Sequence, residues 1–142
     1  MITRGFLNEL SATEIGEYDG RAVLKLNPHL DFRLDRDRII RSPSGFETDL
    51  GSVPRLPVVW WLWGDRAHRE CVLHDYCYRK DAVVLWADGK MTPITRADAD
   101  WYFRLAMISR GQPYWIYQPM YLAVRIFGGS SFRKMKVTDH FV

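Results

Sequence analysis

The sequence predicts a single α+β domain, in which a small antiparallel β meander is followed by about three helices. Hydrophobic residues alternate with polar ones along the first third of the chain, which is typical of strands with one buried face. After residue 65 the apolar residues recur at helical spacing instead. The chain has 142 residues and 47% hydrophobic content, which is enough for one domain with a substantial core.

We predict one domain over residues 1–142 and divide it into three regions by composition. A β-rich region covers residues 1–55, a helical region covers 65–128, and a basic tail covers 129–142. The sequence contains no internal repeat and no low-complexity tract. No boundary between two domains is therefore expected.

Four short strands are predicted from the alternation and from the turn residues between them. The predicted strands cover residues 21–26, 30–34, 38–41 and 46–49. Asn27-Pro28-His29 supplies the turn between the first two strands. A later apolar piece at 82–86, followed by Asp88-Gly89, is predicted to form one arm of a hairpin.

The first predicted helix has Asp65 as its cap and runs to about residue 80. It carries both cysteines of the chain, Cys71 and Cys77. Six helical residues separate them by about 9 Å along the axis. A disulfide tolerates a Cα separation of roughly 7 Å at most. We therefore expect both cysteines to be free thiols.

Two further helices are predicted from residues typical of helix caps and from the glycine and proline residues that end helices. The second opens at Thr95, where an acidic residue three positions later completes a capping box, and it runs to about Arg110. The third is predicted over residues 120–127, with Pro119 in its first turn and Gly128-Gly129 after its last.

Charge and hydropathy exclude several classes of function. The formal charge of +3 is small and evenly spread, so no nucleic-acid partner is expected. No charged and then apolar leader opens the sequence, and no apolar run approaches the ~18 residues of a membrane span. We expect a protein without a transmembrane segment that is cytoplasmic when it is synthesised.

The first helix carries the most informative group of residues. At a repeat of 3.6 residues, Cys71, His74, Asp75 and Tyr78 share one stripe of the helix. The residues around them are apolar, so neither side of the helix is plainly exposed to solvent. Burying a histidine or a carboxylate without a partner costs several kcal/mol. The group is therefore either a polar network within the core or the beginning of a catalytic site.

Asp100 is the predicted partner of His74. It lies at the edge of the apolar stripe of the second helix, so its carboxylate is aimed towards the core. We expect a His–Asp pair between the two helices, in which Asp100 fixes the tautomer of the imidazole and stabilises the imidazolium. A structural His–Asp bridge is an equally good interpretation.

Asp49 and Ser52 lie where the last predicted strand enters a loop, a common place for functional groups. Asp49 could bring a further carboxylate to a metal or to His74. Ser52 could be a nucleophile activated by His74, or could contact substrate, although no Gly-x-Ser-x-Gly elbow surrounds it. The alternative is that Thr48, Asp49 and Ser52 shape the turn through hydrogen bonds to the backbone.

A divalent cation is the cofactor that these residues would suit. Asp49, Asp75 and Asp100 offer hard oxygen ligands of the kind that calcium or magnesium prefers. Zinc is less favoured, because His68, Cys71 and Asp75 share a helical stripe without completing a ligand signature.

The apolar run at residues 56–63 contains three tryptophans. Buried, it covers the core between sheet and helices; exposed, it would suit a lipid surface or a protein partner. Both interpretations also apply to Tyr114, Trp115, Tyr117 and Tyr121.

The string His74-Asp75-Tyr76-Cys77-Tyr78 resembles the active-site helix of secreted phospholipases, which pairs with an aspartate on a second, antiparallel helix. The resemblance implies that His74 is the base that activates water and that Asp75 is a calcium ligand. Tyr78 and Asp100 would orient the histidine. The chain lacks the glycine-rich calcium loop and the disulfides of those enzymes.

A broader resemblance covers about residues 30–128. The ordered motifs are Phe46-x-Thr48-Asp49-x-x-Ser52-x-Pro54, His74-Asp75-x-x-Tyr78, Arg96-x-x-x-Asp100 and Tyr121-x-x-Val124-Arg125-x-Phe127-Gly128. This order is similar to a family of small proteins of unassigned function, found mainly in tailed bacteriophages and prophages. The resemblance implies a viral origin and makes Arg96 and Arg125 candidates for binding the site carboxylates or an anionic substrate.

Two hypotheses of function follow. The first is a phage-encoded hydrolase-like protein whose site joins Asp49, His74, Asp75 and Asp100 and acts on a cell-envelope lipid or on peptidoglycan. The second is a non-catalytic component of the virion, such as its tail or baseplate, or of its assembly. Here the His/Asp cluster is a structural network and a virion or host-envelope protein is the partner. The sequence predicts no oligomeric state.

Overall fold

The computed structural model describes residues 4–18, 21–48 and 68–132 of the chain. Over these residues the fold is α+β, as predicted, with antiparallel sheets and α-helices in one domain. The strands are β1 Gly5–Phe6, β2 Ala12–Tyr18, β3 Arg21–Leu26, β4 Leu30–Arg33, β5 Arg38–Ser42, β6 Glu47–Thr48, β7 Val83–Trp86 and β8 Met91–Pro93. The helices are α1 His68–Cys77, α2 Arg96–Ser109 and α3 Tyr114–Phe127, followed by a 3-10 turn at Gly128–Ser131.

The strands divide between two sheets instead of forming one meander. One sheet has the order β1-β4-β5-β7-β8, and the other has the order β2-β3-β6. The predicted hairpin arm at 82–86 is β7, which pairs with β5 and so brings the chain back to the first sheet after α1. The first sheet is thus built from strands on both sides of α1 in the sequence.

Two strands at the start of the chain were not predicted. β1 has only two residues, too few for a pattern. β2 pairs along its length with β3, but its residues from Ala12 to Glu17 are all exposed. Because residues 12–17 are exposed on both faces, the sequence has no reason to alternate there; the strand is held in register by its pairing with β3.

The caps of α2 are those that the sequence indicates. Thr95 Oγ1 accepts a hydrogen bond of 3.1 Å from the backbone N–H of Asp98. The helix ends at Ser109, and Gly111 follows with φ +81°, a conformation that favours glycine.

The predicted start of α3 at residue 120 is wrong, because the helix begins six residues earlier, at Tyr114. Pro113 is its N-cap residue, and Pro119 lies inside the helix instead of in its first turn. An interior proline removes one helical hydrogen bond. Burial of Ile116 and Met120 on the inner face of the same turns offsets that loss.

Helix α1 lies between the sheets and α2, and every residue from 70 to 79 is buried. Its apolar residues belong to two parts of the core: Val72 packs with Leu30 and Phe103, whereas Leu73 packs with Phe32 and Ile40. The two cysteines are not joined in a disulfide, as expected. Because α1 is enclosed, its polar side chains need partners within the protein.

Several predicted features fall outside the described residues. They are Asp49, Ser52, the aromatic run 56–63, the cap Asp65 and residues 133–142 of the basic tail. Within residues 4–18, 21–48 and 68–132, no helix has the length and the apolar character to cross a membrane.

Candidate functional site

His74 and Asp100 form the predicted pair between α1 and α2. His74 Nε2 lies 2.7 Å from Asp100 Oδ1, and both side chains are completely enclosed. The two helices run antiparallel, since Glu70 near the start of α1 contacts Arg110 at the end of α2, whereas Tyr78 reaches Asp100. This packing places residues far apart in the sequence within one hydrogen-bonded cluster.

Within the described part of the chain, Asp100 accepts hydrogen bonds from the side chains of His74, Tyr78 and Arg125. Tyr78 Oη donates to Oδ1 at 2.5 Å, and Arg125 Nη1 donates to Oδ2 at 2.8 Å. Burial by itself would raise the pKa of Asp100. The hydrogen bonds from His74, Tyr78 and Arg125 outweigh burial and hold that pKa below its ordinary value. Asp100 is therefore an anion that only accepts hydrogen bonds.

The charge of Asp100 determines the role of each nitrogen of His74. An ionised carboxylate has no proton to donate, so Nε2 of the imidazole is the donor in this pair. In the neutral ring the lone pair is then on Nδ1. The carboxylate of Asp100 places a negative charge at Nε2, where it would stabilise an imidazolium.

Tyr78 is fixed by its neighbours as well as by Asp100. Its ring is 1% exposed and packs edge-on against Phe132. Gly128, the C-cap of α3, lies against the hydroxyl so closely that a Cβ atom there would be 2.6 Å from Oη. Burial first, and then the hydrogen bond to Asp100, raises the pKa of Tyr78, so the phenol stays protonated and continues to donate.

The two predicted arginines contact the cluster of His74, Tyr78 and Asp100 in different ways. Arg125 contacts Asp100 directly and keeps its side chain 34% exposed. Arg96 Nη2 donates to the backbone carbonyls of Val124 and Arg125, at 3.1 and 2.5 Å, and its charge acts on the hydroxyl of Tyr78. Arg96 thereby ties the start of α2 to the end of α3.

Asp75 lies next to His74 in the sequence but has different partners. Thr48 Oγ1 donates to Asp75 Oδ2, and Arg79 Nη2 donates to the same oxygen at 3.0 Å. The guanidinium of Arg79 also stacks over the ring of Phe46, 5.6 Å from its centroid. Asp75 therefore connects α1 to β6, and Thr48 has a role beyond the predicted turn.

A cavity of about 260 Å³ opens beside Arg79. It lies between the turn before β6 and the end of α1. Its lining residues are Pro43, Ser44, Gly45, Phe46, Glu47, Tyr76, Arg79 and Asp81. His74 is not among them; the cavity borders Arg79, which is the partner of Asp75.

The described residues include no group of three or more His, Cys, Asp or Glu side chains that could hold a metal ion. Asp49 lies outside them, so the predicted site of Asp49 and Asp75 stays a prediction. A cation at Asp75 Oδ2 would have to compete with the guanidinium of Arg79, which is already bound there. Of the zinc candidates, Cys71 is buried in the core.

Glu70 is a buried titratable group that the sequence reasoning missed. Its side chain is completely enclosed, and Arg110 Nε lies 3.0 Å from its Oε1. Burial raises the pKa of Glu70 to about 7, while the charge of Arg110 opposes the shift. Nothing in the sequence pattern distinguished it from an ordinary acidic residue in the first turn of a helix.

The comparison with protein families gives one match. Residues 24–124 match the family described as "Protein of unknown function (DUF1353)". No curated protein and no solved structure matches the chain. His74, Tyr78 and Asp100 lie inside the matched range, whereas Arg125 follows it directly. A phage origin and the likeness to phospholipases stay predictions. The match covers more than two thirds of the sequence, and the chain therefore belongs to the DUF1353 family.

Proposed function

We propose that this protein is a hydrolase in which His74 is the general base that activates water. The observation that carries the proposal is the buried pair of His74 and Asp100, in which an anionic carboxylate holds Nε2 of the ring. Catalytic histidines need a fixed tautomer and a neighbouring negative charge. Both are present here, and the imidazole packs against the rings of Tyr78 and Phe103.

The proposed reaction is the addition of water to a carbonyl carbon of the substrate. Nδ1 of His74 takes one proton from water as the oxygen forms its bond to carbon. Asp100 stabilises the imidazolium, and Tyr78 and Arg125 hold Asp100 in place. When the bond to the leaving group breaks, Nδ1 returns the proton to that group, so the histidine ends neutral.

The substrate that we propose is anionic and belongs to the cell envelope, either a lipid or peptidoglycan. Arg125 is one third exposed and borders the cluster, so its guanidinium can bind a phosphate or carboxylate as well as Asp100. We assign Arg96 and Ser52 to the same binding role. The cavity beside Arg79 is a second place where part of an anionic substrate could bind, because the guanidinium of Arg79 lines it.

A divalent cation, calcium or magnesium, is part of the proposal. Asp75 and Asp49 would hold it, with Arg79 displaced from Asp75 Oδ2. In the bound state the ion would polarise the carbonyl that water attacks. Removal of divalent cations with a chelator should then lower the rate, and added calcium or magnesium should restore it.

The test is the release of products from phospholipid vesicles and from purified peptidoglycan. We expect the wild-type protein to release fatty acid or soluble peptidoglycan fragments, and His74→Gln to lower the rate by about 100-fold or more. Glutamine retains an N–H donor for Asp100 but removes the basic Nδ1, so the fold should persist. His29→Gln is the matched control, because His29 lies at a turn with its side chain 41% exposed.

Two outcomes would contradict the proposal. One is a wild-type protein that releases nothing from either substrate, with or without divalent cations. The other is a folded His74→Gln variant that retains the wild-type rate.

The second candidate function is a non-catalytic component of a virion or of its assembly, made in the host cytoplasm. The complete enclosure of His74 and Asp100 favours it, since a structural network has no need of access to solvent. This candidate predicts no product release by the wild-type protein and stable binding to a virion or host-envelope protein. In that case His74→Gln would change the free energy of unfolding and no catalytic rate.

A further inference from the structure

Glu70 and Arg110 join the start of α1 to the end of α2. Glu70 is the third residue of α1, and Arg110 directly follows the last residue of α2. Arg110 Nε lies 3.0 Å from Glu70 Oε1, at the opposite end of the two helices from the contact of Tyr78 with Asp100. The side chain of Glu70 is completely enclosed, whereas that of Arg110 is 31% exposed. The guanidinium therefore extends inward from the surface to a buried acid.

Glu70 lacks the hydrogen bonds that usually stabilise a buried carboxylate. In the part of the chain that the structure describes, neither of its oxygens has a hydrogen-bond partner. The next two residues of α1, Cys71 and Val72, belong to the apolar cluster that includes Leu30 and Phe103. A buried carboxylate without hydrogen bonds is costly in its ionised form, and protonation removes that cost. The ionised form of Glu70 therefore depends on positive charge nearby.

Within the described residues, the positive charges that act on Glu70 belong to Arg110 and Arg69. Both lower its pKa, but burial has the larger effect and raises that pKa to about 7. Arg69 precedes Glu70 on α1 and is itself paired with Glu9, which lies between β1 and β2. His74 lies one turn further along α1, and its Nε2 contacts a different carboxylate. Glu70 therefore gains or loses its proton near neutral pH.

We propose that Glu70 and Arg110 form a pH-sensitive latch between α1 and α2, which is closed when Glu70 is ionised and open when it is protonated. In the closed form, the guanidinium of Arg110 is held against the buried carboxylate. A proton on the carboxyl group removes its charge, so the guanidinium can return to solvent. The latch goes beyond the proposed hydrolysis and does not depend on it, because it shares no residue with the cluster around Asp100.

The position of Arg110 determines what the latch controls. Arg110 is the C-cap residue of α2, and Gly111 after it has φ +81° and turns the chain towards α3. In the closed form, the contact with Glu70 fixes this turn to the start of α1. Opening the latch should therefore loosen the connection between α2 and α3.

The test is the titration of Glu70, followed by ¹³C NMR of its carboxyl group in the full-length protein. We expect a midpoint near pH 7, and the ¹⁵Nε signal of Arg110 should move with the same midpoint. Arg110→Gln should shift the midpoint of Glu70 to higher pH, because a charge that favours the ionised form is removed. The Glu70 signal can be assigned through its own backbone, so the measurement needs no variant at that position.

The stability of the fold should depend on the same proton. Between pH 4.5, the ordinary pKa of glutamate, and about pH 7, the folded protein retains a proton that the unfolded chain has lost. The folding equilibrium constant should therefore fall about tenfold per pH unit in this window and level off above it. Glu70→Gln should remove this dependence, whereas the control Glu17→Gln, at an exposed position on β2, should retain it.

Three outcomes would overturn the latch. The first is a Glu70 carboxyl group that titrates at the ordinary value for glutamate. The second is an equal midpoint in the wild type and Arg110→Gln, since the arginine would then have no effect on the acid. The third is an Arg110 signal that does not follow the titration of Glu70.

Discussion

Replacing Asp100 by alanine is expected to lower the free energy of unfolding by about 3–5 kcal/mol, the typical cost of removing one partner from a buried charged pair. The loss has two sources. His74 and Tyr78 keep their buried donors but lose the acceptor they share, and Arg125 loses its carboxylate. Urea unfolding of the wild type and the variant measures the difference.

Asp98→Ala is the matched control, because Asp98 lies two positions earlier on α2 and is exposed. It should cost no more than about 1 kcal/mol, the usual contribution of an acidic residue in the first turn of a helix. Equal losses in the two variants would mean that the cluster around Asp100 contributes no special stability.

In the wild-type protein, the stabilisation that Asp100 provides should also be lost in acid. The pKa of Asp100 is lower in the folded protein than its ordinary value of 3.8, so the folded state binds the proton less readily than the unfolded state. The stabilisation is therefore present above about pH 4 and declines as the pH falls through the folded pKa. In Asp100→Ala that part of the acid dependence should be missing.

Gly128→Ala is expected to destabilise the protein by about 1–3 kcal/mol, the usual cost of forcing an extra methyl group into a packed site. The new Cβ would lie 2.6 Å from Tyr78 Oη and 3.3 Å from two ring carbons. The buried ring of Tyr78 has little room to move, so the hydrogen bond to Asp100 should weaken. Thermal unfolding checks the prediction.

Gly129→Ala separates this clash from a general effect of the substitution. A Cβ at Gly129 meets Arg96 at 3.6 Å or more, which is ordinary van der Waals contact. Its unfolding temperature should match that of the wild type. If both variants were equally stable, Tyr78 would not be confined as its contacts indicate.

The pair of His74 and Asp100 was predictable because each is a polar residue at a position where the sequence pattern is apolar. Asp100 lies on the apolar stripe of α2, and His74 lies on a helix with no solvent face. A buried polar residue needs a partner, and few other candidates were available. Tyr78 also followed from spacing, since it is four residues beyond His74 on the same stripe.

The partners of Asp75 were harder to predict. Arg79 is four residues after Asp75, a spacing at which opposite charges meet on a helix, and this signal was available in the sequence. Thr48 comes from β6, and the contact depends on how α1 packs against that strand. Packing between elements leaves no local pattern in the sequence.

The division of the strands into two sheets was not predictable for the same reason. Alternation shows that β3 and β4 are strands, but it does not show that they belong to different sheets. The early start of α3 was missed because Pro119 resembles a residue of the first turn. Burial of Ile116, one turn before Pro119, stabilises the helix on the N-terminal side of the proline.

The most direct test of the proposed base is the tautomer of the neutral His74 ring, measured by ¹⁵N NMR of histidine-labelled protein. We predict that the proton is on Nε2 and the lone pair on Nδ1, and that this pattern is disturbed in Asp100→Asn. A neutral ring with its proton on Nδ1 and its lone pair on Nε2 would contradict the proposal.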